Sequence, residues 1–157
     1  MKYSNEEIQN MLLDTFSFLI KENDMTLITN RINSNGIKQI YKGKKTGVTI
    51  LFEFREAYVN VLLHRLTNHE INADVHPANR QIPLNNIGLD YIVKYRNESD
   101  LTKPLYDPTS EYYGKDDAFK IMIAKLADNL RKYGAEILTG NFNTFSEVDG
   151  YVKDHYK

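Results

Sequence analysis

Cysteine is missing from the chain altogether, so it can build no disulfide framework, thiolate nucleophile, iron–sulfur centre or cysteine-type zinc site. Long apolar runs are missing too. Charges interrupt every hydrophobic stretch well before the roughly 20 residues of a membrane span, and residues 1–10 (MKYSNEEIQN) lack the apolar centre of a signal peptide. The expected location is the cytoplasm. Neither charge sign dominates: the formal net charge is −1 and the sequence pI about 6.4, so no global field draws the chain to nucleic acid or to an anionic membrane. What remains is 157 residues, 41% of them hydrophobic, which suffices for one sizeable core and a single domain over 1–157.

The most informative stretch is Thr49 to His64, TILFEFREAYVNVLLH. It is too long for one strand, which rarely exceeds ~10 residues, and Glu56-Ala57 is its only polar break. A turn there predicts Phe54 opposite Val59, Phe52 opposite Val61 and Ile50 opposite Leu63, three apolar pairs on one face. The other face would carry Arg55 beside Tyr58, Glu53 beside Asn60, Leu51 beside Leu62 and Thr49 beside His64.

Upstream, Ser4 and Glu7 form a capping box before apolar residues at helical spacing, which predicts a helix from about Asn5 to Glu22. Met25 to Ser34 reads as a strand, Asn35-Gly36 as a two-residue hairpin turn with positive φ, Ile37 to Tyr41 as the return strand, and Lys42 to Gly47 as a basic turn. These add up to a meander of about four antiparallel strands. Thr67 to Pro83 reads as loop; Asn86 to Tyr95 fits a short helix or a strand equally. Asn97 to Lys115 is irregular and longer than most connections. Asp116-Asp117 then opens a helix with Phe119, Ile123, Leu126, Leu130 and Tyr133 as its apolar stripe, ending near Gly134. Ile137-Leu138 continues it briefly, and a last helix starts near Thr144 with Phe145, Val148, Tyr151 and Val152 inward. The fold class is α+β: an antiparallel sheet with an N-terminal helix and C-terminal helices packed over the face of Phe52, Phe54, Val59, Val61 and Leu63.

Charge is segregated along the chain. Seven basic and two acidic residues lie between Arg31 and Arg65, whereas six acidic and two basic residues lie between Asn97 and Asp117. The acidic loop also holds Tyr106, Tyr112 and Tyr113, and tyrosine on an irregular segment presents rigid amphipathic contact area. Tyr106, Glu111, Tyr112 and Tyr113 are therefore the candidate partner-binding residues, suited to a basic protein. The alternative site is the second sheet face, where Glu53, Arg55, Tyr58, Asn60 and His64 could bind a small molecule, with Glu53 and His64 as acid or base in a hydrolytic reaction. A packed loop whose charges complement the sheet internally is the plain structural reading of the same segregation.

His64, His69 and His76, with Glu70 and Asp74, are close in sequence, but they lack the short-spaced helical histidine pair of a metalloprotease, so no metal site is expected. Lys42-Gly43-Lys44-Lys45-Thr46-Gly47 lacks the spacing of a phosphate loop, since Lys45 follows Gly43-Lys44 inside a hairpin, and no cofactor is called for.

The order of elements, together with the stretch Asp128 to Phe142 (DNLRKYGAEILTGNF), resembles small uncharacterised bacterial proteins, some of which look like immunity proteins encoded beside contact-dependent or secreted toxins. The resemblance implies a cytoplasmic, non-enzymatic protein that neutralises a toxin through an exposed surface. It supplies no catalytic residue.

Overall fold

The computed structural model describes residues 2–72 and 84–155. The capping box forms: the Ser4 hydroxyl accepts from the Glu7 amide at 3.1 Å, and the Glu7 carboxylate accepts from the Ser4 amide at 2.6 Å. It opens α1 (Asn5–Thr15), but the single long helix expected to Glu22 breaks at Phe16-Ser17 and resumes as α2 (Phe18–Lys21). The reason is steric. Residues two apart point to opposite sides of a helix, yet Phe16, Phe18 and Leu19 are all buried, and only a break lets the three share one core.

A five-stranded antiparallel sheet follows in the order β1-β2-β3-β4-β5: β1 (Thr26–Ile32), β2 (Gly36–Lys42), β3 (Thr46–Glu53), β4 (Tyr58–Arg65) and β5 (Asn86–Gly88). The fifth strand resolves the ambiguous Asn86 to Tyr95 segment into both alternatives, a three-residue strand followed by α3 (Leu89–Asn97). The Asn35-Gly36 expectation is corrected, because neither residue has positive φ. Instead Asn33 Oδ1 accepts from the amides of Asn35 and Gly36 at 2.8 and 3.0 Å, making an Asx turn around Ser34-Asn35. Gly36 matters for another reason: a Cβ on it would sit 2.1 Å from the Phe52 carbonyl oxygen, so β2 approaches β3 there only without a side chain. Gly36→Ala is expected to destabilise the fold by about 1–3 kcal/mol through this forced shift, read as a lower urea midpoint.

The expected register of the β3–β4 hairpin is also wrong by two residues. Phe52 pairs with Val59, Ile50 with Val61 and Val48 with Leu63, so Phe52 does not lie across from Val61. A two-residue turn at Glu56-Ala57 would demand positive φ from its first central residue. The chain uses the four residues 54–57 instead, with positive φ (49°) only at Ala57 and the Phe54 amide donating to the Asn35 carbonyl at 3.0 Å. A shift of two preserves side-chain parity, so the apolar face survives intact. Phe52, Val59, Val61 and Leu63 are buried, while Phe54 sits half-buried with its ring edge-on to Phe52 at 5.7 Å.

The helices cover that face. Phe119, in α4 (Ala118–Tyr133), meets Phe52 at 5.3 Å between centroids. Gln39 seats α1 by donating to the Gln9 carbonyl at 3.1 Å. Thr46 donates to the Ile137 carbonyl at 2.5 Å, tying the sheet to α5 (Ala135–Leu138). The last helix, α6 (Asn143–His155), buries Phe145, Val148 and Val152 as its spacing predicts, with Tyr151 half-buried.

Candidate functional site

Between α3 and α4 the chain runs through a short 3-10 turn (Glu98–Asp100) and a series of tight turns to Asp117. Long irregular segments need anchors, because each ordered residue loses backbone entropy. Three are present. At its start, Asn129 on the buried side of α4 donates to the Asp100 carbonyl at 2.9 Å and to Thr102 Oγ1 at 3.3 Å. The Asp100 carboxylate accepts from Tyr133 and, at 3.2 Å, from Lys132, and these bonds hold its pKa below the ordinary carboxylate value. In the middle, Tyr112 is 1% exposed; its hydroxyl donates to the Lys103 carbonyl and accepts from the Lys103 amide at 3.1 Å, closing the loop on itself. From the sheet, Tyr58 donates to Asp90 Oδ2 at 2.8 Å, with the Thr102 carbonyl at 3.3 Å. Burial first, and then the Asp90 carboxylate, push the Tyr58 phenol up; burial also raises Asp90, against the hydrogen bond from Tyr58.

The four loop residues singled out from sequence therefore divide. Tyr112 points inward and is part of the scaffold. Tyr106 is 65% and Tyr113 53% exposed, and Glu111 is exposed with a long 3.7 Å ion pair to Lys125. The loop's acids meet lysines of α4, through Asp100–Lys132 and Glu111–Lys125. Among the described residues none of them forms an ion pair with the basic residues of the sheet. Glu98, Asp116 and Asp117 have no ion-pair partner among the described residues.

The residues of the alternative site are spread out rather than gathered. Glu53 lies across from Tyr58, and His64 is six residues further along β4, about 20 Å away at the rise of a strand, so the two cannot act on one bond. His64 is 4% exposed and held at both nitrogens, Nε2 at 2.7 Å from Thr49 Oγ1 and Nδ1 at 2.6 Å from Asn86 Oδ1. An amide oxygen only accepts, so Nδ1 carries a proton, and the Thr49 hydroxyl is hydrogen-bonded to Nε2. Arg55 is exposed in the hairpin turn and Asn60 half-buried in mid-strand. Glu53 and Arg55, with Lys38, Leu51 and the 33–36 turn, line an open cleft of 620 Å³.

Of the expected non-metal histidines, His69 is exposed, and His76 with Asp74 lies outside the described residues. Among the described residues no group of three His, Cys, Asp or Glu side chains is placed to hold a metal. No helix among them is long and apolar enough to cross a membrane. The expected Lys42 to Gly47 turn is only residues 43–45: Lys42, the last residue of β2, pairs with Glu70 at 3.2 Å, and Lys44 and Lys45 in the turn share a 340 Å³ cleft with Glu22 and Asp24, acids that oppose any anion there.

Sequence reasoning passed over Asp90, Thr102 and Asn129, and counted Asp100 only among the acids of the stretch; these four fasten the loop. One signal was available: Asn129 falls on the buried side of α4, beside Leu126 and Leu130, where an amide must find a partner. Comparison with protein-family models, with curated proteins and with solved structures finds no match to this chain.

Proposed function

We propose that this protein is a non-enzymatic, cytoplasmic binding module that engages a basic protein partner through the 98–117 loop, in the manner of an immunity protein that neutralises a toxin. One observation carries the reading: the buried Tyr112 fixes the loop, and the fixed loop holds Tyr106 and Tyr113 out to solvent among acids that, among the described residues, form no ion pair with the sheet. Exposed aromatic side chains on a pre-ordered backbone make effective contacts because little entropy is lost on binding. The surrounding acids favour encounter with a basic surface, such as that of a nuclease, and disfavour acidic competitors.

The test is a pull-down from the native cytoplasm followed by affinity measurement on the captured protein. Tyr106→Ala/Tyr113→Ala is expected to weaken binding by at least about 2 kcal/mol, with an unchanged melting temperature. Arg55→Ala/Asn60→Ala, on the sheet, is expected to bind like the wild type. A loss confined to the sheet variant would move the contact to the second sheet face.

A further inference from the structure

The second face of the sheet carries a pair of cations side by side. Arg31 of β1 lies directly across from Lys38 of β2, and the same row continues through Leu51 to Asn60, with no acid in it. Like charges placed directly opposite on a sheet destabilise it, and among the described residues neither cation has an ion-pair partner. Arg55, in the adjoining turn, has no ion-pair partner among the described residues either. The next row along this face holds Ile40, Thr49 and Leu62, and Ile40, Leu51 and Leu62 remain half-buried. The row on its other side holds Glu53, between Gly36 and Tyr58, so the face is a basic row flanked by one acid and an apolar strip. The same molecule carries its opposite, the loop with exposed Tyr106 and Tyr113 and with Glu98, Asp116 and Asp117, which have no ion-pair partner among the described residues.

The geometry points to a second copy of this chain as the occupant of that face, docking the 98–117 loop of one molecule on the Arg31–Lys38 row of another. A formal net charge of −1 leaves almost no overall repulsion between copies, while the segregated charges attract locally. The carboxylates relieve the Arg31–Lys38 repulsion, and the tyrosine rings cover Ile40, Leu51 and Leu62. The inference rests on the reading of the loop as a contact surface and adds a regulatory consequence: self-docking and the basic partner compete for the same loop, so the partner binds the free monomer.

Sedimentation equilibrium on the full chain tests this without the foreign partner. The mass is expected to rise above 18.3 kDa as the concentration increases at low salt and to fall back at high salt, ~0.3 M, where the Debye length is well under 10 Å. Arg31→Glu/Lys38→Glu and Glu111→Lys/Asp116→Lys are each expected to weaken self-association at least tenfold while keeping the wild-type circular dichroism. Mixed in equal amounts, the two variants are expected to associate again, because each retains the surface the other has reversed. A wild type that stays monomeric, a variant that associates unchanged, or a mixture that fails to recover would overturn self-docking. The foreign-partner reading fails separately, when a captured partner is indifferent to Tyr106 and Tyr113.

Discussion

Phe52→Ala is expected to lower the free energy of unfolding by about 3–5 kcal/mol, a large part of the stability of a domain this size. Phe52 is 2% exposed, sits in β3 between its neighbours Ile37 and Val59, and touches Phe54 and Phe119, so the deletion opens a cavity where the sheet meets α4. The surroundings cannot collapse into it without moving a strand or a helix. Leu126→Ala, fully buried in the same layer, is expected to cost about 2–5 kcal/mol. Lys44→Ala, exposed in the basic turn, should stay within about 0.5 kcal/mol of the wild type. Urea denaturation checks all three; equal midpoints for the core and turn variants would contradict the described packing.

Tyr112 carries the second large effect. Tyr112→Ala removes a buried aromatic ring and is expected to cost about 3–5 kcal/mol, as for other large-to-small changes in a core. Tyr112→Phe separates the ring from the hydroxyl: it keeps the packing but leaves the Lys103 amide and carbonyl without their partner, a loss of about 1–3 kcal/mol. In the Phe variant, hydrogen exchange over residues 101–115 is expected to accelerate while α4 and the sheet keep their protection. Unchanged exchange at Lys103 would show that the loop is ordered by something other than this hydroxyl. Because the ring is buried, partner affinity should fall in this variant only as far as the loop loosens, whereas Tyr106→Ala/Tyr113→Ala should weaken binding with the loop intact.

The sequence by itself determined those features whose causes lie within a turn or two of chain. Ser4 and Glu7 find each other three residues apart, the α4 stripe repeats at helical spacing, and the alternation of Phe52, Val59, Val61 and Leu63 assigns one sheet face to the core whatever the register. Parity is also why a hairpin misplaced by two residues still buried the right side chains. Tertiary structure decided the rest. The break at Phe16-Ser17 answers to a core that must receive Phe16 and Phe18 together, and the hairpin length depends partly on the Asn35 carbonyl waiting for the Phe54 amide. Order in the 98–117 loop, and with it the inward turn of Tyr112 and the outward turn of Tyr106 and Tyr113, depends on Tyr58, Asp90, Asn129 and Tyr133. Those bonds join groups about 30 residues or more apart, and the Tyr112–Lys103 bonds that close the loop join groups nine apart; neither separation leaves a periodic trace in a sequence.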